Sequence, residues 1–300
     1  MTAARPVVFG EVLFDRFPDG AAVLGGAPLN VAWHLQAFGA RPLFVSRVGD
    51  DEAGREVLAT LRAWGLDEAA VQVDREHPTG AVEVRLADGE PSYEILPDQA
   101  YDHLRADELP AVPPGSPLCH GTLALRGPAS RAALRRLLLD ARPRRLVDVN
   151  LRAPWWDRDA VLAVLAGAAE VKLNEHELGQ LDVLPRADDG PAALEAAARR
   201  LLERCGAERV VVTRGERGAL VLDREAGPFA GAPAGGARVV DTVGAGDAFT
   251  AVLMLGESLG WGPQMTLQRG LDFAEAVVGT RGATTAERAF YVPFQRRWNL

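Results

Sequence analysis

The sequence predicts an α/β protein: a doubly wound, mostly parallel sheet with helices on both faces, plus a small β-sheet lid. Three observations lead there. From about residue 118 onward, short apolar runs and helical stretches take turns, the strand–helix–strand order of a parallel sheet. Two segments nearer the N-terminus, about 11–24 and 79–97, read instead as antiparallel pairs that such a sheet does not accommodate. No repeat, low-complexity tract or linker interrupts the chain. Residues 1–300 therefore read as a single domain, with those two segments as its lid.

Taken in order, residues 6–10 are an apolar run ending in glycine, which makes a buried strand. Pro18-Asp19-Gly20 turns the chain between two short strands. After Gly25-Gly26-Ala27-Pro28, residues 29–38 read as a helix with Pro28 near its first turn. Residues 43–48 are a strand. Residues 51–64 carry helical spacing at Val57, Leu58, Leu61 and Trp64. Residues 79–96 alternate, with Ala81, Glu83 and Arg85 on one parity and Val82, Val84 and Leu86 on the other. Asp88-Gly89 then reverses the chain, giving a hairpin with one wet face. Strands follow at 118–122, 145–149, 169–173 and 209–213, with helices at 128–140 and up to about 204. Leu220 to Leu222 and Phe229 mark short strands, and helices fill 247–256 and 265–279.

Composition narrows the function. The chain has 33 Lys+Arg against 41 Asp+Glu and a net charge of −8. That balance serves solubility and opposes non-specific binding to nucleic acid or anionic membranes. Lys172 is the single lysine, and no glycine loop precedes it, so a P-loop nucleotide site is excluded. The lysine set of protein kinases is absent as well. Cys119 and Cys205 stand in no metal-type spacing and read as buried thiols in a reducing compartment. The N-terminus lacks a signal-peptide core, and no apolar run reaches the roughly 18–20 residues of a membrane span. A cytoplasmic protein is expected.

The chemistry concentrates in Asp241-Thr242-Val243-Gly244-Ala245-Gly246-Asp247, which opens a long apolar helix. Such a turn lets successive backbone N–H groups face one point at a helix N-terminus, where free donors and the dipole attract an anion. Asp247 sets a carboxylate beside that point. A base next to a bound phosphate suits deprotonation of a hydroxyl during phosphoryl transfer. A bare glycine–alanine–glycine–aspartate also serves as an ordinary cap turn. A second glycine-to-helix turn, Gly25-Gly26-Ala27-Pro28-Leu29-Asn30, argues for the ligand reading. It allows close backbone approach and puts an amide side chain in the first helical turn. Asp15 follows the first strand, and alone would read as a surface turn residue.

Together these segments resemble the ribokinase-like (PfkB) carbohydrate kinases, and the resemblance runs from Gly10 to Ala283. It implies a ribokinase-like fold with a β-lid over the sugar, and transfer of the ATP γ-phosphoryl group to a sugar hydroxyl with Mg²⁺. It implies Asp247 as base, the amides of Gly244, Ala245 and Gly246 as anion hole, and Asp15, Gly26 and Asn30 as sugar ligands. Val171-Lys172-Leu173-Asn174-Glu175-His176-Glu177 resembles the segment in which Asn174 and Glu177 organise Mg²⁺ through water. A helix first-turn carboxylate is the plainer reading of Glu177. Thr213, Gly215, Gly218 and Gly282 resemble the nucleotide border. A K⁺ site on main-chain oxygens of Asp241 and Val243 is a further implication.

Asp148-Val149-Asn150-Leu151-Arg152 resembles a segment of fructokinase-like and ketodeoxygluconate-kinase-like members. Arg152 would hold the transferring phosphate or an acidic group of the sugar, or else pair with Asp148. Lys172 reads as an exposed strand-end lysine. His34 and Trp155-Trp156 read as packing residues. Tyr93, Arg85 and residues 99–103 are candidates to face the sugar. The basic residues of the lid, Arg16, Arg75 and Arg85, are too few to hold a second phosphate, so an unphosphorylated sugar is expected. Fructose comes first, ahead of 2-keto-3-deoxygluconate, ribose and a nucleoside. A non-catalytic sugar- or nucleotide-binding relative would lack the base or the anion hole, and both are present. The resemblance leaves a homodimer through the lid edge open.

Overall fold

The structure, a computed structural model, describes residues 5–87, 90–181, 190–236 and 238–300. Its main sheet is built from β1 (Val7–Phe9), β4 (Leu43–Gly49), β5 (Val71–Asp74), β8 (Pro117–His120), β9 (Arg144–Asp148), β10 (Glu170–Asn174), β11 (Arg209–Thr213), β12 (Ala219–Asp223) and β13 (Gly227–Gly231). The strand order is β13-β12-β11-β10-β9-β8-β1-β4-β5. From β5 to β11 every neighbouring pair is parallel, and β12 and β13 add an antiparallel edge.

Successive residues of each strand point to opposite faces, and the apolar runs feed two cores. Val8, Phe44, Cys119, Val211 and Val221 pack under α1 (Ala27–Ala37), α2 (Glu52–Trp64), α7 (Ala245–Leu259), α8 (Pro263–Val278) and α9 (Arg288–Trp298). Val147, Val171, Leu173, Val210, Val212 and Leu222 pack under α4 (Arg158–Leu165), α5 (Glu175–Gln180) and α6 (Pro191–Cys205). Val7, Phe9, Val45 and Leu118 pack on α3 (Pro128–Ala141). Both cysteines are free and buried.

The second sheet has four strands in the order β3-β2-β6-β7, using β2 (Leu13–Arg16), β3 (Ala22–Gly25), β6 (Gly80–Ala87) and β7 (Glu90–Ile95). Two antiparallel hairpins were expected. Both are there, but the β2–β6 pair that joins them is parallel. The Asp88-Gly89 turn lies outside the described residues. Ala81, Val82 and Val84 are buried, whereas Arg85 faces solvent.

Three elements gave no signal in the sequence reading: β5, α4 and α9. The last of these closes one face. Phe38, Phe273, Tyr291, Phe294 and Trp298 form a mutually edge-packed aromatic cluster. His34 is fully buried, as a packing residue should be. It touches the Tyr291 hydroxyl at 3.0 Å and the Ala283 carbonyl at 3.1 Å. Trp33 Nε1 donates to the Thr285 carbonyl at 3.0 Å. These bonds seat the 283–285 stretch on α1, beside the start of α7.

Candidate active site

Ligand crevices of open α/β sheets lie beyond the carboxyl ends of the strands, and the singled-out residues gather there. Asp148 ends β9, Asn174 ends β10 and Thr213 ends β11. The two glycine turns lie at the starts of α1 and α7. Gly26 is the N-cap of α1 with φ 110°, and a Cβ there would come within 2.8 Å of the Glu11 carbonyl. Gly244 is the N-cap of α7 with φ 79°, and a Cβ there would come within 2.4 Å of Ala283. Both positions therefore exclude a side chain on two grounds, backbone conformation and space. The first turn of α7 leaves the Gly246 amide without a helical carbonyl, and the Ala245 N–H makes only a long 3.4 Å bond to the Thr242 carbonyl.

Asn30 and Asp247, 217 residues apart, meet directly: Asn30 Nδ2 donates to Asp247 Oδ2 at 2.7 Å. Burial pushes the Asp247 carboxyl up to about 6, and the Asn30 bond and the charges of Lys172 and Arg152 work against that rise. A carboxylate poised there is ionised near neutral pH and basic enough to accept a proton. Asp15 is half-buried on β2 rather than on a surface turn, and a Cβ on Gly25 would lie 3.5 Å from its carboxylate. Burial raises its pKa too, with Arg152 opposing. Arg152 is exposed, and its charge acts on Asp15, Glu11 and Asp247 alike.

Asp148 does not pair with Arg152. Its Oδ2 accepts from Lys172 Nζ at 2.8 Å and from the Thr250 hydroxyl at 2.6 Å. Lys172 is correspondingly buried, contrary to the exposed position expected of it. The cause lies one layer away. The ammonium is taken up by a buried carboxylate, and it rests 3.2 Å from where a Gly246 side chain would begin. A cation thus lies against the α7 turn.

A profile of the pfkB family carbohydrate kinase matches residues 10–289. The chain belongs to that family. Fructokinase of Klebsiella pneumoniae is 31% identical over 296 residues, covering 94% of each chain. Fructokinase from Vibrio cholerae O395, solved in fructose, ADP and calcium ion bound form, superimposes with a TM-score of 0.81. It is 26% identical and covers 97% of this chain and 99% of its own. Aminoimidazole riboside kinase from Salmonella enterica, solved with aminoimidazole riboside and an ATP analogue, has a TM-score of 0.78. It is 26% identical and covers 94% and 95% of the two chains.

In this pfkB carbohydrate kinase, Asn174 and Glu177 form a reciprocal capping box at α5, each accepting the other's backbone N–H at 2.9 Å. Glu177 also accepts the Leu151 N–H at 2.8 Å and is buried, which raises its pKa. The plainer cap reading is therefore realised. Asp241 takes the Val243 and Gly282 N–H groups, each at 3.0 Å. The carbonyls of Asp241 and Val243 accept no hydrogen bond among the described residues, which fits a monovalent cation. Thr213 lies at the strand end with its hydroxyl 3.5 Å from the Leu173 carbonyl. Gly215 stands in open space at φ 58°. At Gly218 a Cβ would overlap the Gly231 carbonyl at 1.9 Å, so that glycine shapes the turn itself.

Of the residues expected to face the sugar, most point elsewhere. Gln99 accepts the Ala81 N–H, Asp102 pairs with Arg126 at 2.7 Å, and Tyr93 is 59% exposed on β7. Arg126 also caps the Leu96 carbonyl and lies 4.3 Å above the Trp155 ring, anchoring the exit of β7. The sequence reading passed over Glu11. It is buried, and its Oε2 has no partner among the described residues. Burial pushes it up to about 7, with Arg152 and Arg126 opposing and Asp247 reinforcing. Its signal was only its place just after Gly10, in the link between β1 and β2 that leads to Asp15.

Proposed function

We propose that this chain phosphorylates an unphosphorylated sugar with ATP and that the sugar is fructose. The observation that carries the reading is the meeting of Asp247, Asn30 and the first turn of α7 in one crevice. Asp15 and Gly26 line the same crevice from the side of the small sheet. Fructokinases match over nearly the whole chain, which supports fructose over other acceptors.

Asp15 and the open carbonyl oxygen of Asn30 hold sugar hydroxyls, a carboxylate accepting two such donors well. Asp247 Oδ1 takes the proton of the hydroxyl that attacks the γ-phosphorus. The amides of Gly244, Ala245 and Gly246 receive the equatorial oxygens of the transferring group, with Lys172 and Arg152 adding positive charge from below and beside. Asp148 and Glu177 would hold hydrated Mg²⁺, which when bound neutralises charge on the nucleotide phosphates. K⁺ would sit on the Asp241 and Val243 carbonyls. Thr213, Gly215 and Gly282 border the nucleotide. The four-stranded sheet acts as a lid, excluding water from the crevice. The two buried free thiols support a cytoplasmic setting.

A second reading, a riboside as acceptor, is favoured by the likeness to aminoimidazole riboside kinase. A coupled ADP-release assay over fructose, ribose, 2-keto-3-deoxygluconate and aminoimidazole riboside separates the two. Fructose should give the highest kcat/KM. A higher value for any other acceptor overturns the assignment of fructose.

A further inference from the structure

The chain makes two excursions into the small sheet, β2–β3 and β6–β7, and a cluster of metal-ligating side chains sits at the two ends of the second. His77 lies between β5 and β6, where the chain enters the small sheet. Asp98 and His103 follow β7, where it leaves. His77, Asp98 and His103 each offer one ligand atom, and these atoms all lie within 4.8 Å of one another. Asp98 Oδ1 is 2.7 Å from His103 Nε2 and 3.7 Å from His77 Nε2.

The surroundings fix how His77 presents itself. Its Nδ1 donates to Asp74 Oδ2 at 3.0 Å. Asp74 is buried and holds the buried Arg47 at 2.8 Å, along with the N–H groups of Glu76 and His77. With Nδ1 held by Asp74, His77 turns Nε2 toward the Asp98 carboxylate. Two imidazole Nε2 atoms thus converge on one carboxylate oxygen, the donor set of a metal site. The carboxylate–histidine pair is also the outer-shell device that orients imidazole ligands on metals.

We propose that His77, Asp98 and His103 bind a borderline divalent transition ion of the Zn²⁺ type, with Asp74 orienting His77. Two imidazoles and a carboxylate match that class, whereas Mg²⁺ and Ca²⁺ select oxygen donors. The imidazole rings are stacked, 3.5 Å apart and 10° from parallel. Binding therefore turns His103 out of the stack, which its 31% exposed side chain permits. The bound ion clasps the entry and the exit of the β6–β7 hairpin. None of the three side chains bonds to Asp15, Asn30 or Asp247 among the described residues.

The test is a Co²⁺ titration of the metal-stripped full-length chain, read by visible d–d absorbance. One equivalent per chain should give a band of four- or five-coordinate character, and Zn²⁺ should bleach it. A His77→Gln/His103→Gln double variant should lose the band. So should Asp98→Asn, at an exposed turn of φ 57° that asparagine tolerates without strain. Kinase turnover with Mg²⁺ should persist in these variants, showing that they are folded. Zn²⁺ should raise the melting temperature of the parent only. No band in the parent, or a band that survives in the folded variants, overturns the site. Protonation of His77 alone would give the first of these results.

Discussion

Asp247 shows how much one hydrogen bond decides at the scale of a residue. Burial lifts its pKa to about 6, and the Asn30 amide pulls against that lift. The base works ionised, so activity should rise with pH through about 6 and level above it. Asn30→Ala removes a bond to a charged acceptor, roughly 1.5–3 kcal/mol in such settings. At 1.36 kcal/mol per pH unit, the acid limb of kcat should move alkaline by about one to two units. A pH–rate profile of the variant checks this, and an unmoved limb would mean that Asn30 does not tune the base. The two glycine turns drew attention to Asp247 and Asn30, whereas Asp15 stood out only through the family resemblance. The burial of Lys172 and the orphaned Glu11 were not, because each depends on which strands lie alongside it. Nothing within a few positions of Lys172 announces that Asp148, 24 residues earlier, will take up its charge.

Among the elements, the two helix starts carry the site, and glycine makes both possible. Gly244 and Gly215 share positive φ, yet only Gly244 is crowded, by Ala283. Gly215→Ala should therefore cost about 1 kcal/mol through strain alone. Gly244→Ala should cost about 1–3 kcal/mol, because its methyl must also displace the 283–285 stretch. It should weaken nucleotide binding as well, since the turn would open. Thermal unfolding and the KM for ATP compare the two variants, and equal losses would contradict the role of Ala283. The helix starts were readable because glycine and proline signals are local. β5 and α4 were not, since both are short and gain their stability by packing on neighbours. The parallel β2–β6 pair escaped for a related reason. Hairpin signals describe contiguous strands and are silent about how two hairpins meet.

At the scale of the whole molecule, the α/β order of the chain fixes where chemistry can occur. Parallel strands end together, and helix N-termini follow them, so charge and free amides collect at one rim. Two cores on opposite faces hold that rim rigid. The small sheet, built from two separate excursions of the chain, carries Asp15 on β2. The architecture and the rim were legible in the alternation of strands and helices. The closure of one face by α9 was not, because its aromatic residues reveal their partners only when Phe38 and Phe273 are brought to them. The central claim is that Asp247 serves as the base of a sugar kinase at this rim. Fructose-dependent ADP release by the parent and by Asp247→Asn, measured side by side at pH 8 with ATP and fructose saturating, tests it most directly. The account predicts a kcat lower by about 10²–10⁴ in the variant, with fructose and nucleotide binding kept. A kcat equal to the parent's would contradict it.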